Sequence, residues 1–176
     1  MDRIEVSTVV YVSAEEAFEF LVDFPRYAQY SKYLDSVQQH GTGGAGTKYD
    51  LTFRWWKLTY TARSEVTSIE ENKRIDWELV DSLDATGYWG IEPLPEETET
   101  SDNNAVKVRF VAEFDSNSMT WDLVNVPRFV STDWIVRKVK PLIVKEAKRI
   151  VGRVVADLEG ESREVTLTVH ETPDTI

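Results

Sequence analysis

His40 and His170 are the only imidazoles in the chain, and there is no cysteine. Thiolate catalysis, thiolate metal ligation and disulfide bridging are therefore excluded. His40 borders a glycine turn and His170 stands near the C-terminal end. Neither has a serine or a carboxylate at a motif spacing, and no helix presents a His-x-x-x-His or Glu-x-x-His pair, so no catalytic residue and no metal ligand is assigned. The stretch GTGGAGTK (41–48) has the glycines of a phosphate loop in the wrong order. Thr47 precedes Lys48, and strand-like sequence follows where that motif needs a helix. It reads as a turn with left-handed positions.

The remaining candidates are groups that orient a ligand. The strand patterns below place Tyr49, Tyr60 and the indole N–H groups of Trp77 and Trp89 on one face of a sheet, with no Asp, Glu, Lys or His beside them. General acid–base catalysis needs a titratable group within reach of substrate. Phenols and indoles can instead hold a ligand carbonyl, or satisfy themselves in a solid core. The residues alone leave both readings open.

Period-two alternation predicts the elements that carry these groups. Ile4, Val6, Thr8 and Val10 predict a first strand. Ser13 and Glu16 mark a capped helix start, with an apolar stripe of Ala17, Phe18, Leu21 and Val22 behind it. Pro25 suits the first turn of a second short helix. The stretch YLDSVQQHGTGGAGTKYDLTF (33–53) then reads as strand, glycine turn, strand. The apolar residues are odd-numbered before Trp55 and Trp56 (Tyr49, Leu51, Phe53) and even-numbered after them (Leu58, Tyr60, Ala62). A hairpin changes parity in this way, with Phe53 opposite Leu58, Leu51 opposite Tyr60 and Tyr49 opposite Ala62. The two tryptophans are thus expected at its tip, with at least one ring exposed.

Ile75, Trp77 and Leu79, then Trp89 and Ile91, then Val106, Val108, Phe110, Ala112 and Phe114 continue the inward rows, making about seven strands. Residues 93–104 read as an acidic, solvated loop. Such a sheet, apolar on one face only, needs a cover. The cover is a helix over 131–158, with apolar residues at 135, 139, 142, 143, 147, 150, 151, 154 and 158. Pro141 is expected to kink it. The preceding loop, 118–130, carries Met119, Trp121, Val126 and Phe129. It is expected to fold over the tryptophan tip as a lid, Trp121 and Phe129 stacking on it. After 158, the alternation of Val165, Leu167 and Val169 fits either an edge strand or a frayed tail.

The net charge of −11 favours solubility and disfavours nucleic-acid binding. Residues 134–153 carry seven cations against Glu146, a net of +6, which leaves −17 for the rest of the chain. This basic stripe either balances neighbouring carboxylates or docks on an anionic surface. Peripheral membrane contact through Trp55, Trp56 and the helix is the second reading. No apolar run approaches the roughly 18 residues of a membrane span, and MDRIEVSTVV lacks the basic and apolar regions of a signal peptide. A cytoplasmic location is the expectation.

The order strand, two short helices, hairpin-linked strands and long C-terminal helix resembles the START-like helix-grip superfamily over 1–158. The stretch VYVSAEEAFEFLVDFPRYAQYSKYLDSV (10–37), with its Asp23 to Tyr27 segment, is similar to the polyketide cyclase/dehydrase and coenzyme Q-binding branch, as is GYWGIEPL (87–94). Nothing comparable covers 159–176. The resemblance implies an α+β fold, a curved antiparallel sheet wrapped around the C-terminal helix with an apolar cavity between them. It also implies a hydrophobic ligand (a lipid, isoprenoid quinone or polyketide) and no cofactor. The expected contacts are Tyr49, Leu51, Phe53, Leu58, Tyr60, Trp77, Trp89, Phe110, Trp121, Ile135, Val139 and Ile143. Carriage without catalysis is the preferred expectation. The alternatives are a cyclase or dehydratase using Tyr49 or Tyr60 as donor, and a macromolecular interaction module using the basic helix.

Overall fold

The first alternation forms β1 (Asp2–Val10), and the inward rows that follow form β2 (Leu34–His40), β3 (Lys48–Trp55), β4 (Leu58–Glu70), β5 (Arg74–Leu79), β6 (Ala85–Pro93) and β7 (Val106–Phe114). Two short strands, β8 (Val124–Asn125) and β9 (Thr168–Glu171), complete the sheet. The computed structural model describes residues 1–95 and 104–172, so most of the acidic loop expected at 93–104 lies outside the described residues. The strand order is β2-β3-β4-β5-β6-β7-β1-β9, every pair antiparallel, with β8 hydrogen-bonded to the start of β4. The sheet is an α+β helix-grip arrangement: seven main strands as expected, plus two short ones.

Within the segment after 158, Thr168–Glu171 form an edge strand. Val169 and Thr168 pair with Val6 and Ser7 of β1. Arg163 donates to the carbonyl of Val9 at 2.9 Å and to Glu159, and Thr8 donates to the carbonyl of Thr166 at 3.0 Å.

The hairpin between β3 and β4 forms, but its register differs from the expectation by two residues. Trp55 pairs with Leu58, Phe53 with Tyr60, and Leu51 with Ala62. The parity switch allows both registers, because each keeps odd residues opposite even ones. The loop holds only Trp56 and Lys57, with Trp56 at φ 54°. Two-residue hairpin loops match the strand twist when the first central residue has positive φ. A bulky side chain in that region costs roughly 1–2 kcal/mol. Trp55 is therefore the last residue of a strand, and Trp56 alone is the tip.

Helix α1 (Ala14–Val22) begins where Ser13 accepts a hydrogen bond from the Glu16 N–H at 3.1 Å. The Glu16 carboxylate accepts from the Ser13 hydroxyl at 3.3 Å, not from the backbone N–H that closes a capping box. The second short helix is a 3-10 turn (Phe24–Gln29) that starts around Pro25. Helix α2 (Thr132–Glu159) has Ser131 as its cap and ends at Gly160, whose φ of 80° suits glycine. Pro141 lies inside it, and the helix runs through that position.

Four hydrogen bonds hold α2 to the 3-10 turn and the segment after it. The Tyr30 hydroxyl donates to Asp157 at 2.7 Å, Arg153 donates to the carbonyls of Tyr30 at 3.0 Å and Gln29 at 3.3 Å, and the buried Glu146 carboxylate accepts from the Lys32 N–H at 3.2 Å. The core gathers Val10, Phe20, Leu21, Phe24, Tyr49, Val66, Ile75, Ile91, Val106 and Val155. Each large side chain buried there contributes about 1.5–3 kcal/mol.

Candidate functional site

Between the inner face of the sheet and the C-terminal half of α2 lies a cavity of about 410 Å³, within the roughly 300–1,000 Å³ range of small-molecule sites. The strands supply Thr8, Val10, Leu34, Leu51, Phe53, Ser64, Trp77, Leu79, Trp89, Val108 and Phe110. Their side chains share one face because alternate residues of a strand point the same way. Helix α1 adds Ala17, Phe20 and Leu21. The 3-10 turn and the residues after it add Phe24, Tyr27, Tyr30 and Ser31. Helix α2 closes the space with Ile150, Val151, Val154, Val155 and Leu158, spaced to lie along one side.

Among the described residues the wall contains no Asp, Glu, Lys, Arg or His. Its two phenols are neutral at physiological pH. Burial, reinforced by the charge of Asp23, pushes Tyr27 well above the ordinary tyrosine range. Burial and the hydrogen bond to Asp157 raise Tyr30. Both hydroxyls are committed, Tyr27 donating to the carbonyl of Leu21 and Tyr30 to Asp157. Ser31 accepts from the N–H groups of Tyr33 and Leu34.

The Trp77 indole N–H differs from these groups. It is buried without a hydrogen-bond partner among the described residues. Such a donor costs about 1–3 kcal/mol unless something accepts from it. Its ring stacks on Phe110 at a centroid distance of 5.9 Å and fills the space left by Gly87 on the neighbouring strand. Phe110 also meets Trp89 at 4.7 Å, and Trp89 meets Tyr27 edge-on at 6.3 Å. These contacts build one continuous aromatic wall.

Of the residues expected to contact ligand, Leu51, Phe53, Trp77, Trp89 and Phe110 line this cavity. Tyr49, Leu58, Tyr60, Trp121, Ile135, Val139 and Ile143 do not. Tyr49 is fully buried against Phe24, with ring centroids 4.7 Å apart and its hydroxyl unpartnered. Tyr60 is turned to Ser82, its hydroxyl 2.5 Å from that of Ser82, and Leu58 is buried beside the hairpin turn. Trp121 is exposed in the loop before α2. Ile135 and Val139 belong to the N-terminal half of α2, and Ile143 is half exposed. That half of the helix crosses the hairpin end and not the cavity, which explains why its share of the apolar stripe is absent from the wall. Among the lining residues not anticipated as contacts are Phe20, Leu21, Phe24, Tyr27, Tyr30 and the α2 residues from Ile150 to Leu158. The helical stripes marked Leu21, Ile150, Val151, Val154 and Leu158 as inward, but not Phe20, Phe24, Tyr27, Tyr30 or Val155, nor which half of α2 would face the open space.

The histidines find partners that chain spacing could not reveal. His170 Nε2 is 2.7 Å from the Ser7 hydroxyl, and His40 Nε2 is 2.9 Å from Asp50, which also binds Arg63. Neither pair lines the cavity, and no cluster of potential metal ligands occurs among the described residues.

At the far end of the β3–β4 hairpin, the expected stacking partner of the tip is only half right. Phe129 meets Trp56 edge-on at 6.5 Å, but the second cover is Trp134 of α2, 6.1 Å from Trp55 and 5.6 Å from Trp56. None of these rings lines the cavity, so the cluster is not a lid over it.

Residues 1–155 match the model of the family described as polyketide cyclase / dehydrase and lipid transport. The chain belongs to that family. Family membership supports a role in hydrophobic-ligand binding or cyclisation. Among solved structures the chain is similar to the Zhui aromatase/cyclase of a Streptomyces species, with 16% identity, TM-score 0.61, and coverage of 89% of this chain and 93% of that one. A protein of Thermus thermophilus gives 14% identity, TM-score 0.59 and coverage of 90% and 97%. The di-domain ARO/CYC StfQ of the steffimycin biosynthetic pathway gives 10% identity, TM-score 0.55 and coverage of 89% and 50%. At these identities the likeness shows the fold alone. Against curated protein sequences, nothing matches.

Proposed function

We propose that this family member binds and carries a hydrophobic small molecule, a lipid, isoprenoid quinone or polyketide-like compound, without transforming it. One observation carries the reading: a cavity of about 410 Å³ whose wall, among the described residues, has no acidic or basic side chain. Burying an apolar ligand there gains about 25 cal/mol for each Å² removed from water. A charged ligand group would meet no counter-ion.

A cyclase or dehydratase is the second reading, favoured by the family description. The donors first considered for it, Tyr49 and Tyr60, lie outside the cavity wall. Cavity shape would then do the steering. The test is organic extraction of purified protein followed by mass spectrometry, with titration of a quinone, a fatty acid and a sterol beside it. A co-purifying apolar compound, or saturable binding of one probe at unit stoichiometry, is the expected result. Protein that is empty and binds none of them overturns carriage. Release of a cyclised or dehydrated product from a polyketide-like probe replaces carriage with catalysis.

A further inference from the structure

We propose that the outer end of the β3–β4 hairpin is a membrane-docking pole that inserts its aromatic rings into the interfacial layer of an anionic bilayer. The pole consists of Trp55, Trp56, Phe129 and Trp134, in mutual ring contact. Two of the rings are strongly exposed, Phe129 at 75% and Trp56 at 53%. Large rings are ordinarily withdrawn from water, and a contiguous exposed set marks a contact surface. Trp56 also occupies a left-handed turn position that glycine or asparagine fills without strain. A residue kept there against its backbone preference points to a use for the ring.

Charge identifies the partner. The Lys57 ammonium lies 5.5 Å from the centroid of Trp56 and 5.6 Å from that of Phe129, so a cation sits among the exposed rings. Arg137 and Lys138 are exposed on α2 one turn beyond Trp134, and Arg128 is exposed beside Phe129. Among the described residues of the neighbouring elements the exposed acids are Asp133 in the first turn of α2, Asp122 in the loop before it, and Asp35, which pairs with Arg54 at 3.5 Å.

Balance against carboxylates does not account for the basic helix. Among its described side chains only Arg149 meets a carboxylate, Glu146 at 3.3 Å, while Arg153 is spent on backbone carbonyls. An anionic bilayer attracts this helix and repels the remainder of the chain, which carries −17. Only one pole can therefore approach the membrane. Aromatic rings flanked by cations are the chemistry of the headgroup boundary, where indoles partition and lysine and arginine reach phosphates. The proposal is independent of what the cavity holds.

The experiment is sedimentation with vesicles of phosphatidylcholine alone and of equal parts phosphatidylcholine and phosphatidylserine. We compare wild type with Trp56→Asn, which keeps a residue suited to the turn, and with Phe129→Ser, which removes a ring that supports no core. Binding to the anionic vesicles, at least about tenfold tighter than to the neutral ones and weakened between about 0.05 and about 0.5 M salt, is expected. Each substitution should weaken it by about tenfold or more with an unchanged melting temperature. Absence of anionic-vesicle binding overturns the proposal, as does binding that both variants retain in full. A dimer seen by analytical ultracentrifugation that both variants abolish would assign the pole to a second copy of the chain and overturn it equally.

Discussion

Gly87 stands directly opposite Trp77 across the β5–β6 pair, and a Cβ placed on Gly87 would lie 2.4 Å from Cζ2 of that indole and 2.2 Å from the carbonyl oxygen of Val111. The aromatic wall of the cavity thus depends on the absence of a side chain one strand away. Gly87→Ala should lower stability by about 1–3 kcal/mol, because the carbonyl belongs to a sheet strand and cannot move aside. It should also displace the Trp77 ring and reduce ligand capacity. Chemical denaturation beside probe titration checks both effects. A variant as stable as wild type would show that the close approach is not maintained in solution.

Trp77→Phe separates the ring from its donor. The N–H has no partner among the described residues, so its loss costs the fold no hydrogen bond. Stability should fall only through the smaller ring. Because the indole nitrogen is buried away from the open space, a carbonyl-bearing probe and a hydrocarbon probe of similar size should lose affinity equally, through the altered wall alone. A selective loss for the carbonyl-bearing probe, by roughly 3- to 10-fold as for a hydrogen bond of about 0.5–1.5 kcal/mol, would make Trp77 a donor to ligand.

Tyr49→Phe should leave stability unchanged or raise it by up to about 1 kcal/mol, since a buried hydroxyl without a partner is removed and the shape is kept. Ligand binding and any turnover should persist, because Tyr49 lies outside the cavity wall. Loss of either with an intact melting transition would return Tyr49 to the site.

Acid should act through Asp50. Hydrogen bonds from Arg63 hold its carboxyl at about 2, below its ordinary 3.8, with His40 adding to the effect. A depressed carboxylate stabilises the fold above its unfolded value and loses that contribution as the pH falls through its folded value. The melting temperature of wild type should therefore drop between about pH 4 and about pH 2 by more than that of Asp50→Asn. Parallel pH profiles for the two proteins would place the acid sensitivity elsewhere, with the Arg74-bound Asp76 as the next candidate.

Local pattern alone determined the architecture. Alternation marks a strand wherever one face is wet, and a stripe with a period near four marks a helix lying on something. These rules located the seven main strands, the capped start of α1, the α2 cover, and the hairpin turn at the tryptophan pair. They also kept charged residues off the inner face, which is why an acid-free face was legible from residues such as Leu51, Trp77 and Phe110, while the cavity in front of it was implied only by the family resemblance.

Tertiary structure decided everything that depends on which surfaces meet. Parity cannot separate two hairpin registers that differ by two residues. The two-residue turn with Trp56 at positive φ chose between them, pairing Phe53 with Tyr60. A helical stripe does not say which of its turns faces a void. The clasp of α1 and the 3-10 turn on α2 placed the cavity against residues 150–158 and left Ile143 half exposed. Trp134 joined the tryptophan pair because α2 starts at the hairpin end, a proximity of residues nearly eighty positions apart along the chain. His170 reached Ser7 only once β9 had paired with β1. Sequence spacing encodes neighbours along an element, whereas a site is made by elements that touch, and that contact is settled by packing.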